Sequence, residues 1–147
     1  MNKDKNIISI IIPVYNECES ISLLIDEITK VMFINKFNYE LIVINDGSKD
    51  STSDVLIDLS REIKELIVIN LRKNYGQTAA MAAGFDNANG QIVISLDGDL
   101  QNDPADIPVI VEKLNQGFDL VSGWRFQRKD AQLTRKIPSK IANKLIA

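Results

Sequence analysis

Two carboxylates either side of a glycine, Asp97-Gly98-Asp99, are the residues of this chain best suited to chemistry. They offer hard oxygen ligands of the kind taken by Mg2+ or Mn2+, cations that keep waters and substrate phosphates in their other positions. Gly98 lets the backbone turn so that both side chains can face one way. A cation held there would neutralise a departing diphosphate, acting as Lewis acid and template. Gln101 adds an oxygen donor two residues on. Asp-Gly is also a frequent turn dipeptide, so the pair by itself fits a plain turn leading into a helix cap equally well.

Four further polar clusters share its setting: Pro13-Val14-Tyr15-Asn16-Glu17, Asn45-Asp46-Gly47-Ser48, Arg72-Lys73-Asn74-Tyr75-Gly76 and Gly123-Trp124-Arg125. Asp46 could accept an N–H from a nucleobase edge and Tyr15 could offer that base an aromatic face. Arg72 and Arg125 could grip phosphate bidentately. Each has a bland alternative taken singly: a turn, a packed tyrosine, a solvated arginine.

What joins them is position, because each follows a short apolar run. Ile7–Ile12, Leu41–Ile44, Leu66–Leu71, Ile92–Leu96 and Leu120–Val121 read as strands, and their nearly continuous apolar character implies a parallel sheet covered on both faces. Helical stripes lie between them: Ile21, Leu24, Ile25 and Ile28; Val55, Leu56 and Leu59; the Ala-rich 78–85; and Ile107, Ile110, Val111 and Leu114. Asn16 with Glu19 and Ser51 with Asp54 resemble capping boxes, and Asp103-Pro104 supplies an N-cap followed by proline at the first helical position. Alternation of this kind predicts a right-handed βαβ series in an α/β sandwich, where ligands gather beyond the carboxyl ends of the strands. Five polar loops in succession at those ends argue for a ligand cleft.

Composition narrows the chemistry. The 147 residues are 45% hydrophobic and 25% charged, which suits one globular domain. The single cysteine, Cys18, rules out an internal disulfide and fits a reducing compartment. No histidine is present, which removes histidine acid–base catalysis, Ser-His and Cys-His triads and His-ligated zinc. A dinucleotide-dependent oxidoreductase would carry G-x-G-x-x-G after the first strand, and a P-loop hydrolase G-x-x-x-x-G-K-[ST]; neither occurs. No apolar run approaches the roughly 18 residues of a membrane span, and Met1–Asn6 is no secretory signal.

Charge is unevenly spread. The first 124 residues carry 10 basic against 19 acidic groups, whereas Arg125–Lys144 holds seven basic groups and one acid, Asp130. Such asymmetry implies that the last stretch meets something anionic. Trp124–Gln132 reads as a polar, basic loop. In Arg135–Ala147, Ile137, Ile141 and Leu145 recur every fourth residue, as do Lys136, Lys140 and Lys144. That pattern suits either a helix lying on an anionic membrane or a solvated face over a packing stripe. The chain stops inside the pattern without a C-cap signal, so a longer parent is expected.

In order and spacing, "SIIIPVYNE", "LIVINDGSKDST", "LRKNYGQTAAMAAGF" and "VISLDGDLQNDPADIP" resemble the family 2 glycosyltransferases of GT-A fold. The later "LVSGWRFQRKDAQLTRKIPSKIANKLIA" is more specifically similar to the polyprenyl-phosphate sugar transferases of bacteria and their dolichol-phosphate relative. The resemblance implies a Rossmann-like αβα sandwich with a mostly parallel sheet, incomplete at the C-terminus. On it, 7–124 form the α/β core, 125–134 a mobile basic loop and 135–147 an amphipathic interfacial helix. Pro13, Tyr15, Glu17, Asp46, Arg72 and Gly98 then belong to the nucleotide-sugar site, Asp97, Asp99 and Gln101 to the Mg2+ or Mn2+ site, and Arg125 to a loop over the donor phosphates. Arg135, Lys136 and Lys140 fall where that subgroup meets the lipid phosphate. The implied reaction is inverting transfer of a hexose-type sugar to polyprenyl phosphate at the cytoplasmic face of the cell membrane. A UDP-sugar is favoured over GDP-mannose, and no nucleic-acid partner is implied. A soluble or polysaccharide acceptor, or a non-catalytic nucleotide-binding module, would share the same donor motifs.

Overall fold

The computed structural model describes residues 4–123. Within them the order is β1 (Asp4–Val14), α1 (Ile21–Ile34), β2 (Asn38–Asn45), α2 (Thr52–Glu62), β3 (Leu66–Asn70), α3 (Gln77–Asn87), β4 (Gly90–Ser95), a 3-10 turn (Pro104–Asp106) and α4 (Ile107–Asn115). The sheet order is β3-β2-β1-β4, and every neighbouring pair is parallel. The chain therefore builds outward from β1 on one side and then crosses to its other side for β4. The gap between the ends of β1 and β4 is the topological switch point, where open α/β sheets bind ligands.

Alternation along β1 explains both layers. Ile8, Ile10, Ile12 and Val14 face one way, into a core completed by Leu24, Ile25 and Ile28 of α1, Leu56 of α2 and Ile107 and Val111 of α4. Ile11 faces the other way, with Ile42, Ile44, Ala80 and Ala88, under α3. The Ala-rich composition of α3 has a steric reason, because that helix lies very close to the sheet. A Cβ on Gly84 would collide with Ile11 Cγ2 and stand 2.9 Å from Ile44 Cδ1.

At the end of the sheet away from the strands' carboxyl ends, fully buried Ser9 is satisfied by the side chain of Glu40. Its Oγ donates to Glu40 Oε1 at 2.6 Å and accepts from Gly90 N at 2.8 Å. Asn89 N donates to the same carboxylate at 2.7 Å. Burial by itself would raise the Glu40 pKa, but the bonds from Ser9 and Asn89 outweigh it and hold the carboxyl below its ordinary value.

Three expectations need correction. Leu120–Val121 is not a strand: it has no regular structure, and Leu120 is 86% exposed. Two apolar residues between Asp119 and Ser122 are too few to hold an edge against β4. Asn16 and Glu19 form no capping box, since α1 begins at Ile21 behind Ser20. Asn16 instead takes a left-handed φ of 57° and its Oδ1 accepts from Lys49 N at 2.8 Å. Ser51 stands at the N-cap of α2 without a side-chain bond, and Asp50 does that work, accepting from Thr52 N at 3.0 Å. Asp103-Pro104 behaves as expected, with Asp103 Oδ1 accepting from Ala105 N at 2.9 Å.

Gly84→Val forces branched carbons into the layer between α3 and the sheet. We expect a loss of about 3 kcal/mol, the upper range for overpacking, read as a lower urea midpoint at unchanged slope.

Candidate active site

Four loops leave the carboxyl ends of the strands, and polar bonds knit them together. The loop after β1 is stitched to the start of α2: Asn16 N donates to Ser48 Oγ at 3.0 Å, Glu17 N to Thr52 Oγ1 at 2.9 Å and Cys18 N to Asp50 Oδ2 at 3.3 Å. Asp50 also accepts from the Thr52 hydroxyl at 2.5 Å. These bonds, that of Thr52 first, hold the Asp50 pKa down at about 2.

The same loop abuts the one after β4. A Cβ on Gly98 would lie 2.9 Å from Val14 Cγ1, 3.3 Å from Pro13 O and 3.7 Å from Glu17 Cγ, so glycine is what lets the two loops close together. Ser20 Oγ lies 2.5 Å from Glu17 Oε2 and 3.1 Å from Gly98 O, which ties the same junction. The structure thus brings Pro13, Glu17 and Gly98 side by side at the switch point.

Asp46 anchors the third loop. It is 3% exposed, and its carboxylate accepts from Tyr75 N through Oδ1 and from Gly76 N through Oδ2, each at 2.8 Å. A carboxylate has about four acceptor sites, so these two bonds leave Asp46 acceptor capacity while giving it a task as a backbone anchor that its sequence context does not reveal. Next to it, Gly47 has φ 68° and the backbone of Lys73 and Asn74 occupies the space a Cβ would need. Lys73 Nζ lies 5.2 Å from the centre of the exposed Tyr75 ring, within cation–π range. Tyr15 is 39% exposed and Arg72 is exposed.

The Asp97 carboxylate is half-buried and meets amides from two directions: Gln77 Nε2 donates to Oδ1 at 3.0 Å and Asn102 Nδ2 to Oδ2 at 3.4 Å. Asp99 is exposed, and its Oδ1 accepts from the backbone N of Gln101 at 3.1 Å, across a turn in which Leu100 has φ 59°. Among the described residues no cluster of three or more acidic, Cys or His groups forms a protein-only metal cage. Two carboxylates on one tight loop instead match a Mg2+ or Mn2+ site that is completed by phosphate and water. Arg125, Arg135, Lys136 and Lys140, with the basic loop and interfacial helix expected around them, lie outside the described residues.

Sequence reasoning missed Gln77, Asn102 and Asp50. For Gln77 a signal existed: it follows Gly76 at the first position of α3, where a side chain borders the loops at the strand ends.

The family model for glycosyl transferase family 2 matches residues 9–146. The chain belongs to glycosyl transferase family 2. It is 43% identical over 144 residues to dodecaprenyl-phosphate galacturonate synthase of Rhizobium johnstonii, covering 95% of this chain and 42% of that one. Over 146 residues it is 42% identical to undecaprenyl-phosphate 4-deoxy-4-formamido-L-arabinose transferase of Aeromonas hydrophila, covering 99% of this chain and 44% of that one. The chain thus spans less than half the length of these relatives, and the expected likeness to polyprenyl-phosphate sugar transferases is borne out. A solved structure, glucosyl-3-phosphoglycerate synthase of Mycobacterium tuberculosis with Mn2+, UDP and phosphoglyceric acid, matches with a TM-score of 0.60 and 26% identity, over 74% of this chain and 39% of that one. The architecture is GT-A, as the motifs imply.

Asp50→Asn tests the stitching of the first two loops. Because the folded pKa is depressed, the stabilisation by Asp50 is complete above its ordinary 3.8 and is lost as pH falls through about 2. The variant is expected to lose stability at neutral pH and to show a shallower acid limb across that window, read from urea midpoints against pH. Asp46→Ala strands two backbone N–H groups that had a charged acceptor. It is expected to cost about 1.5–3 kcal/mol by the same measurement.

Proposed function

We propose that this chain is the donor-binding portion of an inverting glycosyltransferase that moves a hexose-type sugar from a nucleoside diphosphate to a polyprenyl phosphate. The observation that carries the reading is the packing of Gly98 against Pro13, Val14 and Glu17, which sets the Asp97-Gly98-Asp99 loop beside the first loop at the switch point between β1 and β4. The acceptor class is supported by the names of relatives that are 42% and 43% identical to this chain over almost its whole length.

In this reading Asp97 and Asp99 hold Mg2+ or Mn2+, with Gln101 beside them. The bound cation supplies electrostatic stabilisation of the departing diphosphate, worth several kcal/mol in such sites. Tyr15 and Asp46 receive the base, Pro13 and Glu17 line the donor side of the first loop, and Arg72 and Arg125 face phosphate. The attacking oxygen of a polyprenyl phosphate is already anionic near neutral pH, so these residues need only bind, orient and exclude water, which suits a chain without histidine. Arg135, Lys136 and Lys140 meet the lipid phosphate at the cytoplasmic face of the membrane. The donor is a UDP-sugar, a choice supported by the UDP held in the mycobacterial relative.

Calorimetry with UDP and with GDP, each in Mn2+ and in EDTA, tests the donor site. We expect UDP to bind, and only with the metal; failure of both nucleotides to bind would overturn the reading. In the full-length protein, Asp97→Asn and Asp99→Asn are each expected to lower transfer to undecaprenyl phosphate by about a hundredfold or more, the scale of losing a strong electrostatic stabiliser. Transfer to a soluble sugar with none to the lipid would replace the acceptor while leaving the donor site intact.

A further inference from the structure

We infer that Gln77 is a positioning residue that orients the Asp97 carboxylate toward the divalent cation; the inference rests on the donor site proposed above. Three observations carry it. Gln77 is the first residue of α3, the helix on the opposite face of the sheet from α1, α2 and α4. Its Nε2 nevertheless reaches Asp97 Oδ1 at 3.0 Å, a bond that spans 20 residues of sequence. Its own backbone is held in place by Asp46, through the bond from Gly76 N at 2.8 Å.

The chemistry favours an amide at this point. A carboxylate on a loop can rotate about its terminal bond, and a donor on one oxygen fixes the plane in which the other oxygen's lone pairs lie. Partners of this kind orient metal ligands, and losing one costs about 10–100-fold in metal affinity. A lysine or arginine would fix the carboxylate equally well, but its positive charge would offset the charge that the cation needs. The amide of Gln77 is neutral, so this bond orients the carboxylate without adding an opposing charge. Asn102 approaches the other oxygen from the β4–α4 loop at the longer distance of 3.4 Å, which makes Gln77 the firmer of the two.

The geometry also links the two ends of the donor site. Asp46, at the base end, grips Tyr75 and Gly76; the next residue, Gln77, grips Asp97 at the diphosphate end. One short strap therefore sets the orientation of the metal-side carboxylate from the position of the base-side one.

The experiment titrates the full chain with Mn2+ alone and follows the free-ion signal by electron paramagnetic resonance, with Tm measured in parallel. Four proteins are compared: the unaltered chain, Asp97→Asn, Gln77→Leu and, as a control on the same exposed turn of α3, Thr78→Ala. We expect Asp97→Asn to abolish tight binding. Gln77→Leu should raise the Mn2+ dissociation constant about tenfold or more with Tm unchanged, because residue 77 is exposed, and Thr78→Ala should change neither. A Gln77→Leu protein that binds Mn2+ as the unaltered chain does, while Asp97→Asn does not, overturns the role of Gln77 and leaves the donor site standing. An equal loss in Thr78→Ala also overturns it, since the effect would then belong to the helix start in general. Binding that Asp97→Asn leaves unchanged, or no binding by the unaltered chain, overturns this inference, while calorimetry with UDP and Mn2+ judges the donor site separately.

Discussion

A buried carboxylate at the end of a central strand is costly unless donors meet it, and the geometry of this site follows from how that requirement is met at Asp46. The donors are two successive backbone N–H groups, those of Tyr75 and Gly76, and they can reach Asp46 only if the β3–α3 loop folds over the end of β2. That fold leaves no room for a side chain at position 47, where the backbone of Lys73 and Asn74 passes, and Gly47 accordingly stands at φ 68°. It also requires the chain to turn sharply into α3, which Gly76 permits at φ 92°. The first residue of the helix then arrives beside Asp97. One pair of bonds thus determines a turn, a helix start and the surroundings of a carboxylate on a different loop.

Two kinds of cohesion divide the labour. The layers on either side of the sheet are apolar and continuous, with Ile10, Ile11, Ile12, Ile42 and Ile44 fully buried, so the strands have little freedom to slide. The loops above them hold few apolar contacts and are fastened by polar bonds that cross between chain segments about 30 residues apart, as from Asn16 to Ser48 and from Cys18 to Asp50. Polar fastening suits a surface that must receive a polar ligand, because each bond fixes a direction without filling the cleft with hydrocarbon.

The difference between those two kinds of cohesion decides what could be read from the sequence. The four strands and four helices were legible because burial repeats with a period, and a run such as Ile7–Ile12 has few alternatives. The strand-end loops were legible as a group, since polar residues recur after each apolar run, and two of them meet where Gly98 packs against the first loop. The partners inside the loops were not legible. Asn16 precedes a helix and looks like a cap, yet its side chain is used by Lys49, 33 residues away. Nothing local distinguishes those two uses of an asparagine. Asp46 looked like a base reader and proved also to be a backbone anchor, and Gln77 was not singled out. Leu120–Val121 failed for the opposite reason: β-propensity over two residues is too weak to specify an edge strand.

Charge adds a constraint on how such a site can work. Through residue 124 the chain carries 19 acidic against 10 basic groups, and two of those acids, Asp97 and Asp99, stand on the loop nearest the proposed diphosphate. A diphosphate brought to that loop alone would meet repulsion from two carboxylates and from a net acidic surface. In the proposed reading, favourable binding comes from local, oriented groups: a divalent cation between the aspartates and the phosphates, with Arg72 of the β3–α3 loop facing phosphate. Local attraction of this kind depends steeply on distance and direction in a way that a diffuse basic surface does not. That is why the orientation of a single carboxylate, which the amides of Gln77 and Asn102 both meet, can matter to such a site.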